Sequence, residues 1–425
     1  MIHNLPYLTQ KDGHLFIENV DATTLAEKYG TPLYVYSKNR ILENYQRLKT
    51  AFEKAGAPIF IHYAVKCNNN LAILHLLREA GAGADVSNEN EIELARYAGF
   101  KPENLIYTGN NNPNDELGYS LKYADKINLD DISVLPRLLK FGKPKILSFR
   151  INPGIGKGSY KTNVFAGKQA KFGIDPETAL YAYQMGKKTG IKKFGMHMMP
   201  GSGGLDEDYF AEVVKKLFEI AEMIAEKANI KFEFINVGGG LGIPYLPTEK
   251  PLNINNVAKK VASIYKTGLK RGKIGAPRLE CEPGRYIVGD SAIILSRVHC
   301  IKESFKRYAG TDAGMNTLIR PALHGSHHEI LCANKMASRK TKAYTVCGRI
   351  CENTDMHPGE RQLSELEEGD LLATLDAGAY GYSMSFNFNT YGRPAEVMVN
   401  GSKHAPIRKR ETLDDLKRNM IVQSI

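Results

Sequence analysis

Apolar and polar positions alternate along the chain in two different ways. From Pro58 to Glu282, short apolar runs are separated by longer amphipathic stretches. The runs Ile59–Val65, Ala84–Ser87, Leu105–Thr108, Lys126–Leu129, Ile146–Asn152, Phe194–Met199, Phe232–Val237 and Arg278–Cys281 read as eight strands. Seven helical stretches lie between them. The most legible is Asp206–Ala228, where Phe210, Val213, Val214, Leu217, Phe218, Ile220, Ile224 and Ala225 form one wide apolar stripe. Strands that alternate with helices imply right-handed βαβ units and a parallel sheet. Eight such units in about 225 residues fit a (β/α)8 barrel better than an open doubly wound sheet.

Beyond Arg285 the helical period fades. Tyr286–Ile301, Thr317–Ile319, Lys342–Val346, Asp370–Leu375 and Ala395–Val399 read as strands, with Gly, Pro, Asn and Asp between them. Leu15–Ile17 and Pro32–Tyr36 read the same way. The expected architecture is therefore α/β: a TIM-like (β/α)8 barrel over residues 36–282, and a β-rich domain built from residues 1–35 and 283–425.

In such a barrel the functional groups collect after the C-terminal ends of the strands. Lys66 follows Ile59–Val65 directly. Desolvation at a barrel mouth would lower its amine pKa and make it a nucleophile toward carbonyls; the alternative is a strand-end lysine reaching solvent. After Phe232–Val237 come Gly238-Gly239-Gly240-Leu241-Gly242. Their backbone N–H groups can converge on an anion, although a tight turn without a ligand has the same composition. The pattern is not that of a nucleotide-binding P-loop. After Arg278–Cys281 comes Glu282-Pro283-Gly284-Arg285. Glu280 and Glu282 share one side of the strand, and a carboxylate there needs a protein cation or a protonated ligand nitrogen as partner. A nucleophilic lysine, a phosphate nest and a buried acid are together what pyridoxal phosphate requires.

Composition narrows the alternatives. The 425 residues are 43% hydrophobic and 24% charged, and no run approaches a membrane helix. The N-terminal residues lack a basic segment followed by an apolar run, which leads us to expect a soluble, cytoplasmic protein. A net charge of +11 raises the question of nucleic acid, but the lysines and arginines are scattered among acids rather than clustered. Cys347 and Cys351 are the only close pair among six cysteines, and that spacing is poor for zinc.

Six stretches go further: Tyr63-Ala64-Val65-Lys66, Lys171-Phe172-Gly173-Ile174, Gly238–Gly242, Glu282–Arg285, Asp312–Asn316 running into Arg320–Leu323, and Cys351-Glu352 followed by Asp376–Gly381. With them the chain, from about Thr31 to Val399, resembles the barrel-type (fold-type III) pyridoxal-phosphate-dependent decarboxylases, in particular the branch acting on diaminopimelate. The resemblance implies a Schiff-base lysine at Lys66. It implies a phosphate site at Ser202, Gly239 and Gly240 with the Gly284–Arg285 region, and a pyridinium partner at Glu282. Arg285, Arg320 and Glu352 would hold the distal polar groups of the substrate, and Tyr380 would touch substrate and cofactor. Cys351 would donate or position a proton near the α-carbon. Cys351 and Glu352 would enter from a partner subunit, so a homodimer with a shared active site is implied. No metal is. The implied activity is decarboxylation of meso-2,6-diaminopimelate to L-lysine and CO2, the last step of lysine biosynthesis.

Two positions depart from the family pattern. Met199 stands where the family has a ring-stacking histidine, with His197 on the same strand side, and His324 stands where it has a tyrosine. His324 lies in Leu323-His324-Gly325-Ser326-His327-His328, a cluster that invites a metal reading but lacks evident carboxylate ligands. The competing activities are decarboxylation of another amino acid, such as D-ornithine or D-lysine, and racemisation on a similar barrel. A diamine-forming enzyme would not need Arg285 and Arg320, and a racemase would lack the Cys351-Glu352 pair. A carrier of pyridoxal phosphate would need neither.

Overall fold

The computed structural model describes residues 5–157, 165–199 and 201–423. The chain forms two compact units. Of the described residues, one unit comprises those within 43–244 and 250–286; the other comprises 5–42, Tyr245–Glu249 and 287–423. Both main boundaries fall a few residues later than expected, and Tyr245–Glu249, expected within the barrel, belongs to the β-rich unit.

The first unit is a closed, all-parallel barrel of eight strands in sequential order: Ile59–Ala64, Gly83–Val86, Leu105–Thr108, Lys126–Leu129, Ile146–Ile151, Phe194–Met198, Phe232–Asn236 and Arg278–Cys281. The eighth strand pairs with the first through Leu279↔Ile59, Glu280↔Phe60 and Cys281↔Ile61, which closes the ring. Among the described residues, seven helices alternate with these strands. Several begin on a capping side chain. Asn70, Asn88, Asp175 and Asp206 each accept a hydrogen bond from the first turn of the helix that follows. The longest, Glu207–Ala228, buries the stripe read from the sequence and ends on Asn229 in the left-handed conformation.

The interior of the barrel contains an ionic layer. Lys126, from the fourth strand, donates to both carboxylate oxygens of Glu280 (2.6 and 2.9 Å), and His62 lies 2.9 Å from Glu280. All three are buried. The Lys126 ammonium also sits 4.9 Å from the centre of the Phe234 ring. Burial pulls its pKa down to about 8, against the opposing pull of Glu280.

In the second unit, Leu33–Ser37 is central. It pairs antiparallel with Ala292–Glu303 and parallel with Ala395–Asn400 in a nine-stranded sheet. A separate three-stranded sheet comes from Leu8–Lys11, His14–Ile17 and Val20–Asp21. Leu15, Ile17, Leu33, Val35, Ile293 and Val397 meet in one core cluster.

Two expected strands are different. Arg285–Val288 is a short helix followed by a 3-10 turn through Ser291, and the strand begins only at Ala292. Thr317–Ile319 is a turn, because the N–H groups of Thr317 and Leu318 both donate back to the Gly314 carbonyl (2.9 and 3.0 Å) rather than to a neighbouring strand. Among the described residues no helix is long and apolar enough to cross a membrane.

Candidate active site

In the barrel unit, Lys66 occupies a one-turn 3-10 segment immediately after the first strand. Its side chain is 44% exposed and forms an ion pair with Asp85, whose side chain is 1% exposed at the end of the second strand. Burial pushes the Asp85 carboxyl up to about 6, with the charge of Glu282 adding to the effect and Lys66 opposing it. Asp85 was not singled out in the sequence, although it is the one ionisable residue in Gly83-Ala84-Asp85-Val86.

Glu282 is buried and held from two sides. Its Oε2 lies 2.8 Å from His197 Nε2, and its Oε1 accepts from Asn236 Nδ2 at 2.8 Å. A carboxylate only accepts, so His197 Nε2 carries the proton in this contact. Burial raises the Glu282 pKa, but His197, then Lys66 and His62, outweigh it and leave the carboxyl below its ordinary value. His197 therefore serves Glu282. Asn236, which ends the seventh strand, was not anticipated.

The glycine loop after that strand is shaped by backbone contact. A Cβ on Gly239 would lie 2.3 Å from the Glu282 carbonyl oxygen, and one on Gly240 (φ +89°) would lie 2.7 Å from that of Gly201. Gly204 N–H donates to the Gly240 carbonyl, and Gly242 N–H to that of Gly204, both at 2.8 Å. Ser202, buried, lies in the loop that packs there. Met199 is adjacent: its Sδ accepts from Gly239 N–H at 3.2 Å. Gly284 is required by packing, since a Cβ there would approach Cys67 Cβ to 2.6 Å. Arg285, buried, follows at the start of its short helix. The Lys171–Ile174 motif also has a local role: Phe172 underlies the Arg150 guanidinium at 4.4 Å, and Gly173 N–H donates to Asp130 at 3.2 Å.

The remaining candidates lie in the β-rich unit. Arg320, 1% exposed, opens the short helix Arg320–His324. His324 ends that helix and is half-buried. Cys351 and Glu352 are exposed in a turn that Asp355 organises. The Asp355 side chain accepts from Ile350 N–H at 2.7 Å and from Met315 N–H, so it ties the Cys351-Glu352 turn to the Asp312–Asn316 segment. Gly314 and Gly348 make room for that carboxylate, each leaving only 2.5 Å to it for an added Cβ. Asp355 had no signal in the sequence beyond its place three residues after Glu352. Tyr380, at φ +54°, is held by a segment in which Gly378 N–H donates to the Gly289 carbonyl at 3.0 Å. Both nitrogens of His328 are occupied by protein groups, and His327 is 3.3 Å from Glu329.

The barrel residues fit pyridoxal phosphate. A half-exposed lysine stands at the end of the first strand, a glycine cradle too tight for any Cβ follows the seventh, and a buried acid held below its ordinary pKa follows the eighth strand, which lies between them. Comparison with known proteins agrees. Residues 38–289 match the family model described as pyridoxal-dependent decarboxylase, pyridoxal binding domain. The chain is 44% identical over 411 residues to the diaminopimelate decarboxylase of Methanothermobacter thermautotrophicus, covering 96% of each chain. It is 35% identical to that of Bacillus subtilis, covering 95% of this chain and 94% of the other. The solved diaminopimelate decarboxylase of Methanocaldococcus jannaschii, in co-complex with L-lysine, superposes with a TM-score of 0.92 at 34% identity, covering 100% of this chain and 99% of that one.

Proposed function

This chain belongs to the pyridoxal-dependent decarboxylases, and from that premise we infer that it converts meso-2,6-diaminopimelate to L-lysine and CO2. The observation that carries the reading is the arrangement at the barrel strand ends, where Lys66 pairs with Asp85 and Glu282 is kept ionised by His197 and Asn236.

When bound, pyridoxal phosphate supplies an electron sink for the pair released as the Cα–carboxylate bond breaks. Lys66 would hold the aldehyde of the cofactor, and Ser202, Gly239 and Gly240 its phosphate. Gly284 and Arg285 would stand beside that site and Tyr380 would touch both cofactor and substrate. Glu282, ionised, would keep a proton on the ring nitrogen. Met199 would present an apolar, polarisable surface to the ring where a histidine would present a titrating one. Arg285 and Arg320 would bind the remote carboxylate in charge-assisted pairs, and Glu352 the remote ammonium. Because meso-diaminopimelate has an amino-acid group at each end, holding one end selects the bond that breaks at the other. His324 would line the same region.

We assign Cys351 to delivery of a proton at Cα, and we place Cys351 and Glu352 in the partner's site of a homodimer; their exposure in the single chain supports this. All six cysteines are free thiols, which supports a reducing, cytoplasmic setting. The direct test offers meso-diaminopimelate, L-lysine and D-ornithine side by side. CO2 is expected from the first alone, and its absence there overturns the substrate assignment. Lys66→Ala is expected to abolish the absorbance band of lysine-linked pyridoxal; an unchanged spectrum overturns the lysine assignment.

A further inference from the structure

Within the three-histidine cluster that follows Arg320, both ring nitrogens of His328 are engaged by protein groups. Arg320 Nη1 lies 3.0 Å from His328 Nε2, and His328 Nδ1 lies 2.8 Å from the Leu375 carbonyl oxygen. A carbonyl only accepts, so Nδ1 carries the proton. A guanidinium only donates, so Nε2 accepts. The two contacts together fix one tautomer of a neutral imidazole. Burial, and then the charge of Arg320, hold the His328 pKa well below its ordinary value, which keeps the ring in that state.

His328 is fully buried and edge-on to Tyr245, with ring centres 5.2 Å apart. The Arg320 guanidinium lies over the same Tyr245 ring, 4.5 Å from its centre. Leu375 N–H donates to the Glu329 carbonyl at 2.9 Å, continuing the antiparallel ladder of Ile330↔Thr374, so the carbonyl that orients His328 is anchored to the sheet. A neutral acceptor and a π-face orient a guanidinium without cancelling its charge, and the buried Asp376, which Arg320 also reaches electrostatically, has its carboxyl held well above its ordinary pKa by burial. A carboxylate in place of His328 would orient it too, but would compete with an anionic ligand.

We propose that His328, backed by Tyr245, is a positioning residue that aims Arg320 at the substrate carboxylate remote from the reacting carbon, and thereby sets the preference for a diacid. This rests on Arg320 binding that carboxylate, as proposed for the reaction. The histidine thus acts through the arginine and touches no reacting atom.

The test uses the cofactor-loaded enzyme and calorimetric binding of two probes. L-lysine keeps the remote carboxylate; 1,5-diaminopentane has the same skeleton without it. His328→Phe, which keeps the ring but removes donor and acceptor, is expected to weaken L-lysine binding about tenfold, as for loss of a hydrogen bond to a charged group. It should leave diaminopentane binding unchanged and raise KM for meso-diaminopimelate more than it lowers kcat. His328→Gln, which restores an acceptor and a donor, should recover most of the loss. If His328→Phe fails to fold, His328→Asn, too short to span both partners, takes its place. Unchanged L-lysine affinity in His328→Phe while Arg320→Gln is weakened overturns the proposal. So does equal loss of both probes, which marks a structural role. Unchanged L-lysine affinity in Arg320→Gln itself overturns the role of Arg320 instead.

Discussion

The buried carboxyl of Asp85 pairs with the Lys66 ammonium from the end of the adjacent strand and feels the like charges of Glu282 and Glu91. Because burial raises its folded pKa above the unfolded value, the folded state holds a proton that the unfolded state has released between about pH 4 and pH 6. Stability from this group is therefore greatest at low pH and is lost as pH rises through that window. Asp85→Asn removes the penalty. It is expected to raise stability at pH 7 by about 1–2 kcal/mol, with the difference from wild type shrinking toward pH 4. The same change should lower kcat by about tenfold, because Lys66 loses the partner that holds it in place. Denaturant melts at pH 7 and pH 4, with kcat alongside, check both signs; a less stable variant at pH 7 would contradict the assignment. Sequence spacing reached Lys66 and Glu282 because each directly follows an apolar run at a strand end. It did not reach Asp85 or Asp355, and it marked His328 only as part of a cluster weighed for metal, because their contacts are with partners far away in the chain or with backbone groups that no motif marks.

At the scale of the elements, the eight barrel strands lie within a residue or two of the runs read from hydrophobic periodicity, because a strand buried on both faces is apolar throughout and its ends are abrupt. The short strands of the other unit were less legible. Arg307–Thr311 and Lys403–Arg408 carry few apolar positions, Ile330–Cys332 is only three residues long, and the apolar Tyr286-Ile287-Val288 run lies in a short helix. The ionic layer of Lys126, Glu280 and His62 interrupts the periodicity from inside the barrel, and its energetics are separable. Lys126→Met leaves Glu280 buried with its charge only partly compensated by His62 and the half-exposed Arg278, at an expected cost of about 3 kcal/mol. Lys126→Met with Glu280→Leu removes both charges and should regain most of that loss, since well-packed apolar residues replace a buried pair at little cost. Urea midpoints of the two variants decide the matter: a double variant no better than the single one would show that the layer holds the barrel together by something other than charge pairing.

For the whole molecule, the net charge of +11 comes from lysines and arginines scattered along the chain, and the cations to which we assign chemical roles are few: Lys66 toward an aldehyde, Arg285 and Arg320 toward carboxylates. The residues assigned to one reaction divide between two units of the chain, Lys66 and Glu282 in the barrel, Cys351 and Glu352 in the β-rich unit. If a homodimer shares its sites in the way proposed, each site takes Lys66 from one subunit and Cys351 from the other, and two different inactive proteins can repair each other. Lys66→Ala and Cys351→Ala are each expected to be nearly inactive alone. Mixed in equal amounts and allowed to exchange subunits, half of the dimers are hybrids, and each hybrid carries one site with both substitutions and one site with neither. Activity should therefore return to about a quarter of the wild-type value. A mixture that stays inactive after exchange, with hybrid dimers verified by mass, would mean that Lys66 and Cys351 of the same subunit serve one site.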